Sequence, residues 1–368
     1  MSSNAILVVG TNVRNVAQSA RKAGHSVYAL TYYDDEDLKL YAEVEKLPED
    51  KKALKERVEQ IAESLGAKVV LSTGYEDLNI KDELVLGHPP REAARVKDKL
   101  KFYRTLERAG IPYPPLVDLN EADERLEIIC KPRMGGGGEK AFIANTGSLD
   151  PLNSLESLEL LDEDYICQRY VEGTVCSVSI MAGRDKTVVA VNEILVGWKA
   201  MNAEGFTYSG NITPLSHQLT EVEYKELVRT AIETVELFDL QGSVGVDFIV
   251  SDKPYVLEIN PRFQASVDSI EWSRDVNMFR LHVDSLEGRR VETPKAKRFA
   301  SRSILFADRT IEIDKCMTGN PFFADVPSKG VYRAGDPLIS VLCSGNSRKD
   351  LVGKTVHRKH LFTQQQRI

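Results

Sequence analysis

The chain has 368 residues, 42% of them hydrophobic, too long for one typical domain and sufficient for two or three cores. Its formal net charge of −7 argues against nucleic acid as the main partner, while leaving a locally basic cleft free to bind phosphates. No apolar run approaches the roughly 18 residues of a membrane span, the start lacks the basic segment of a signal peptide, and Cys130, Cys167, Cys176, Cys316 and Cys343 have no paired spacing, so reduced thiols in a cytoplasmic protein without membrane partners are expected.

From the N-terminus, Ala5–Gly10 is an apolar run closed by glycine, Arg14–Ala23 is helical, and Ser26–Tyr32 reads as a second strand. A helix over Lys51–Leu65 and a strand over Lys68–Ser72 repeat the alternation, which predicts a small doubly wound parallel sheet. Gly10-Thr11-Asn12 is not a dinucleotide loop, because the other glycines of G-x-G-x-x-G are missing. Open parallel sheets bind ligands at the C-terminal ends of their strands, which singles out Thr11, Asn12 and Thr73-Gly74-Tyr75. Arg91–Gly110 is basic and helical, with Leu100, Tyr103 and Leu106 near helical spacing, and the prolines of Ile111–Pro115 stop it. Leu126–Pro132 is a strand that runs through Arg133-Met134 into four glycines, Gly135, Gly136, Gly137 and Gly138. Backbone amides without Cβ atoms approach a polyphosphate closely, although the GK[ST] ending of a P-loop is absent.

Tyr165–Ser179 combines two strands around a break at Glu172-Gly173, and Val188–Val196 is a further strand. Gly197–Pro214, with Trp198, Lys199, Tyr208, Asn211 and Thr213, reads as a long polar loop, either part of an acceptor site or plain surface. Glu221–Leu237 is an amphipathic helix. The most informative stretch is Val244–Phe263. Two alternating runs flank Ser251-Asp252-Lys253-Pro254, so it reads as a hairpin with Val250 opposite Tyr255. That register sets Asp247 against Glu258 and Gly245 against Asn260 on one face, with Val246–Ile259 and Phe248–Leu257 on the other. Opposed like charges destabilise a sheet, so a positive species belongs between them, and an oxygen-only donor set favours magnesium or manganese over zinc. Gln264–Asp284 is expected to be helical, with Arg274 and Arg280 in surface ion pairs. A charged linker over Gly288–Ala296, a β-rich tail and a basic, frayed end at Lys354–Ile368 complete the chain. No histidine pairing marks a metal site, and no serine or cysteine carries a nucleophile motif.

D-F-I, a turn, then L-E-I-N-P-R resembles the last metal-binding segment of the ATP-grasp enzymes, especially the carbamoyl-phosphate-synthetase and biotin-carboxylase branch. Upstream, D-K-x-K-F with L-x-x-A-G-I-P-Y-P, then K-P before the glycine run, then Y-I-C-Q-R-Y-V-E-G resemble that family's opening, flap and adenine hinge, in the family's order. The resemblance implies an α/β and α+β protein with an N-terminal doubly wound domain over 1–94, an ATP-grasp domain of two subdomains clamping ATP over 95–290, and a small β-rich appendage over 291–368. It implies magnesium or manganese held by Asp247, Glu258 and Asn260 against the ATP phosphates, with Arg262 stabilising the phosphoryl group in flight or the acyl phosphate. It implies phosphate contacts from Lys131 and from Lys99, which the sequence does not separate from Lys97 and Lys101. Gln168, Tyr170 and Val171 fall at the adenine hinge, and Val175 stands where many members carry a ribose-binding glutamate, with Glu172 a nearby substitute. The implied activity is an ADP-forming ligation of a small-molecule carboxylate to an amine through an acyl phosphate. A bicarbonate-dependent carboxylase and a nucleotide-binding regulatory protein are the alternatives, and a homodimer is a common assembly for soluble enzymes.

Overall fold

The computed structural model describes residues 4–119, 126–138, 140–146, 164–215, 219–315 and 317–366. At the N-terminus, β1 (Ala5–Gly10), α1 (Arg14–Lys22), β2 (Ser26–Thr31), β3 (Glu43–Lys46), α2 (Lys51–Leu65) and β4 (Lys68–Leu71) form a parallel sheet in the order β3-β2-β1-β4. The continuous apolar run of β1 is explained by burial on both faces, Ile6 and Val8 against Val16 and Ala17 of α1, and Leu7 and Val9 against Leu54 and Val58 of α2. Strand order reverses between β1 and β4, and the loops at their C-terminal ends are tied together where Thr11 donates to Thr73 O through its N–H (2.8 Å) and its hydroxyl (3.0 Å). The four residues of β3 contain one apolar side chain, too little for a strand pattern to show.

The single helix expected over Arg91–Gly110 is two, α3 (Pro90–Lys97) and α4 (Lys99–Ala109). Asp98 breaks it by adopting extended backbone and capping α4, its carboxylate accepting from the N–H groups of Leu100 (3.1 Å) and Lys101 (3.3 Å). Next, β5 (Glu127–Pro132), β6 (Phe142–Asn145) and β7 (Tyr165–Arg169) make a small antiparallel sheet in the order β6-β5-β7. Cys130 and Cys167 lie directly opposite each other on β5 and β7 and are joined as a disulfide. This corrects the expectation of reduced thiols and removes the cysteine argument for a reducing compartment. Cys176 and Cys343 are buried free thiols, and Cys316 lies outside the described residues.

The remaining elements are β8 (Thr174–Ala182), β9 (Lys186–Val196), β10 (Tyr208–Thr213), α5 (Glu221–Leu237), β11 (Gly242–Val250), β12 (Pro254–Asn260), α6 (Val267–Arg274), α7 (Met278–Leu286), β13 (Phe299–Phe306), β14 (Ile311–Ile313), β15 (Phe323–Ala324), β16 (Gly330–Tyr332), β17 (Pro337–Gly345) and α8 (Arg348–Gln366). An eight-stranded sheet runs β12-β11-β8-β9-β10-β13-β17-β15, and β14 pairs with β16. The C-terminal β-rich segment thus continues the sheet that carries β11 and β12. Three readings are corrected here. The supposed loop Gly197–Pro214 contains β10, paired on both sides by β9 and β13. The Gln264–Asp284 stretch is two helices, separated by Asp275 in a left-handed conformation (φ 54°). The basic end is the ordered helix α8, seated through Leu351, Thr355 and Phe362.

One face of the large sheet is apolar, with Val178, Val191, Val246 and Ile259 packed on Leu227, Ala231 and Val235 of α5 and on Phe102 and Leu106 of α4. The register places Ser177, Asn192, Asn211, Asp247, Glu258 and Arg302 together on the other face. So much polarity on one buried face needs internal partners, and it marks where the chemistry sits.

Candidate active site

The β11–β12 hairpin sets Gly245 against Asn260, Val246 against Ile259 and Asp247 against Glu258, the register read from the alternation. Beyond Asp247 the pairing shifts to Phe248–Val256, Ile249–Tyr255 and Val250–Pro254, so the expected Phe248–Leu257 and Val250–Tyr255 pairs do not form. The shift is a bulge, and Leu257, the residue it leaves unpaired, offers its carbonyl to the Tyr103 hydroxyl at 2.5 Å. The same hydroxyl accepts from Lys131 Nζ at 2.7 Å, and the ammonium lies 5.1 Å from the Tyr103 ring centroid. Tyr103, which sequence reasoning placed only in a packing pattern, therefore connects the hairpin to Lys131.

Lys131 is desolvated, and burial lowers its ammonium to about 7 despite the attraction of Glu258, with Lys99 pushing the same way as burial. Of the three lysines around the start of α4, Lys99 reaches the site. Its Nζ donates to Gly135 O, and burial lowers its pKa while Glu258 raises it. Lys97 is instead paired with Asp77, and Lys101 is exposed beside Asp98 at 3.7 Å. Both site lysines are brought together by one clamp. Arg133 grips the Asp98 carboxylate with two hydrogen bonds (2.8 and 2.6 Å), and Lys99 N–H donates to Arg133 O (3.1 Å). This ion pair holds the Asp98 carboxyl down at about 2.

The glycine loop lies over the acid pair. A Cβ added at Gly136 would sit 4.0 Å from both Glu258 carboxylate oxygens, and one at Gly138 would collide with Phe206 O. Gly137 O accepts from Tyr208 N–H at 3.1 Å, which fastens the loop to the start of β10. Beneath it, Asn260 Nδ2 donates to Asp247 Oδ2 (3.0 Å) and Glu258 Oε1 (3.2 Å), while Asn260 Oδ1 accepts from Arg262 Nη2 (3.0 Å). Arg262 is also ion-paired with Glu76 at 2.8 Å. Glu76 follows the Thr73-Gly74-Tyr75 loop that the sequence singles out, but it was not itself anticipated. Burial, reinforced by the facing Glu258, pushes the Asp247 carboxyl well above the usual carboxylate range. Among the described residues no group of three or more His, Cys, Asp or Glu side chains is assembled as a metal site. Two carboxylates and an amide suit an oxygen-loving divalent cation that completes its shell with water or phosphate.

Gln168 is fully buried, with Nε2 donating to Pro114 O at 2.5 Å and Oε1 unpartnered among the described residues. The N–H groups of Arg169 and Tyr170 are engaged by Pro115 O and Glu127 O, both at 2.9 Å, so this part of the hinge spends its donors on holding the strands. Asn211 and Thr213 are not on an open acceptor loop. Thr213 Oγ1 donates to Asn192 Oδ1 (2.6 Å) and Asn211 Nδ2 to Ser269 Oγ (2.5 Å) inside the sheet. Tyr208 donates to Asn211 Oδ1 at 3.3 Å, and burial, against the pull of Arg302, raises its phenol to about 12.

Past Tyr208 the polar face ends in a buried ionic knot. Arg14 of α1 binds Asp268 of α6 through both terminal nitrogens (2.7 and 2.6 Å) and Asp325 through Nε (3.0 Å). Arg302 of β13 holds the second oxygen of Asp325 (2.6 Å), and Asp37 accepts from the N–H groups of Asp325 (3.1 Å) and Val326 (2.8 Å).

Residues 96–266 match the family described as the ATP-grasp domain. The chain carries an ATP-grasp domain. It is 27% identical to an uncharacterized protein of Methanocaldococcus jannaschii over 365 aligned positions, covering 92% of this chain and 88% of that one. It is 34% identical over 109 positions to tyramine–L-glutamate ligase of Methanocaldococcus fervens, 29% of this chain and 34% of the relative. The crystal structure of an L-amino acid ligase from Bacillus licheniformis superposes with a TM-score of 0.71 at 15% identity, covering 95% of both chains, which shows the ATP-grasp fold. No helix among the described residues is long and apolar enough to cross a membrane.

Proposed function

We propose that this ATP-grasp protein is an ADP-forming ligase that joins the carboxylate of a small molecule, an amino acid by preference, to an amine. The observation that carries the reading is the facing Asp247–Glu258 pair, enclosed by Lys99, Lys131 and a glycine loop whose lack of side chains leaves room above Glu258. The names of the fervens relative and of the Bacillus structure, one for tyramine and L-glutamate and one for L-amino acids, support the choice of substrate class.

ATP with magnesium supplies the phosphoryl group that activates the carboxylate. Asp247 and Glu258 would hold the cation, and Asn260, whose amide nitrogen bridges both carboxylates, would orient them. Lys131, lowered to about 7 by burial, would hold its proton more firmly against a polyphosphate, and Lys99 would add a second positive charge. Arg262, fixed by Glu76 and Asn260, would place its positive charge beside the bound phosphates. Catalysis of this kind needs alignment and charge stabilisation more than a protein nucleophile.

The test is a matrix of amino acids and amines assayed for ADP release with magnesium and for a joined product by mass. ADP should form only with a productive pair, and Asp247→Ala and Glu258→Ala should each lower the rate by about 100-fold or more. Full turnover in those variants would remove the metal assignment, and labelled bicarbonate appearing in product would make the protein a carboxylase.

A further inference from the structure

We propose that Cys130 and Cys167 form a reversible thiol–disulfide site that sets the affinity of the nucleotide cleft. The two cysteines face each other across β5 and β7 with Cα atoms 4.3 Å apart. Each is followed at once by a residue that the family resemblance assigns to the nucleotide, Lys131 on β5 and Gln168 on β7. Because side chains alternate along a strand, the sulfurs lie on the far face of the small sheet and Lys131 and Gln168 on the near one. A bond on the far face therefore fixes the spacing of the strands that present those two side chains.

On that face the described residues form a small core, Ile128, Cys130, Ala144 and Cys167, with Val117, Leu119 and Leu126 packed at its edge, so the two sulfurs sit among few side chains. The bond also closes a loop of 37 residues that contains the whole glycine run, Gly135 to Gly138, and so restrains the segment lying over Glu258. Closed, it pre-organises Lys131, the glycine amides and Gln168 for a polyphosphate nucleotide. Opened, the same groups must be ordered on binding, at a cost in affinity.

The exchange partner is a low-molecular-weight disulfide in one direction and a dithiol in the other. In oxidation, the Cys167 thiolate attacks one sulfur of the incoming disulfide, forms a mixed disulfide and expels one thiol. The Cys130 thiolate then attacks the Cys167 sulfur and expels the second thiol, so that two protein thiols and one disulfide become one protein disulfide and two thiols. Cys167 is the entry point because it retains 8% exposure, against none for Cys130. Cys176 does not compete, being buried with its thiol pushed up to about 12.

The inference rests on the cleft binding ATP, and the experiment separates the two. Full-length protein is equilibrated with oxidised glutathione or with dithiothreitol under native conditions, trapped with an alkylating agent and weighed by mass spectrometry, while the ATP dissociation constant is measured on each form. The oxidised form should carry two fewer alkylated thiols, and reduction should weaken ATP binding by about fivefold or more with the saturating rate changed less than twofold. Cys130→Ser combined with Cys167→Ser should show the weaker affinity whatever the reagent. A bond that dithiothreitol does not open in the native protein, or equal ATP affinity of the two wild-type forms, overturns the inference and leaves the proposed ligase intact. ATP binding to neither form overturns both.

Discussion

At the scale of single residues, burial shifts the proton affinities of two groups in the site in opposite directions. Burial, reinforced by Glu258, raises the Asp247 carboxyl, while burial, reinforced by Lys99, lowers the Lys131 ammonium to about 7. The two shifts are opposite in sign and share a cause, burial that disfavours the charged form of each group. The pH dependence follows for Lys131. Below about 7 its ammonium is already charged and attracts phosphate, and above it a proton must be taken up on binding. The advantage of the wild type over Lys131→Met in ATP affinity should therefore be largest below neutrality and shrink as pH rises through about 7, by roughly threefold per unit. Titrations of both proteins with ATP and magnesium between pH 6 and 8.5 give the comparison, and a constant ratio would show that the lysine acts through packing alone.

At the scale of elements, the decisive local events are breaks in regular structure. The Asp98 interruption turns a long basic helix into two and delivers Lys99 to the first position of α4, with Arg133 locked to the same carboxylate. Asp98→Ala removes a cap and an ion pair, and should cost about 1–2 kcal/mol. Its KM for ATP should rise more than its kcat falls, because the two lysines lose their common anchor; denaturant melts and steady-state kinetics read the two effects. Much of the arrangement was legible from alternation. The period of two fixed Asp247 opposite Glu258, and the parallel N-terminal sheet was visible in its apolar runs. The bulge at Leu257 was hidden because Val256 and Leu257 are both apolar, so a slip of one residue leaves the hydrophobic pattern unchanged. The strand β10 was hidden because Ile212 is its one buried apolar side chain, while Ser209, Asn211 and Thr213 are buried, polar and bonded to partners such as Ser269 and Asn192. The Cys130–Cys167 pairing depended on knowing that β5 and β7 are neighbours across 37 residues. Glu76 escaped notice for a similar reason, since its partner Arg262 lies far along the chain.

At the scale of the whole molecule, two sets of contacts among those binding the N-terminal sheet to the rest bear on stability. One is apolar, with Val16, Ala17 and Ala20 of α1 packed among Phe263, Val267, Ile270 and Phe279. The other is the ionic knot around Arg14, which is 1% exposed and answers to carboxylates from α6 and from the segment after β15. Removing one partner from such a knot leaves buried charge uncompensated, so Arg14→Ala should destabilise the protein by about 3–5 kcal/mol, measurable as a shift in the urea midpoint. The same variant leaves Asp247, Glu258 and both site lysines in place, and the folded fraction should keep its affinity for ATP.

The knot also bears on how such proteins can be recombined. A graft that exchanges the first 94 residues for those of a homologue would seat a foreign side chain among Asp268, Arg302 and Asp325, groups contributed by the recipient. Viable chimeras should therefore inherit positions 14, 37, 268, 302 and 325 as a matched set, even though they are scattered over most of the length of the gene product.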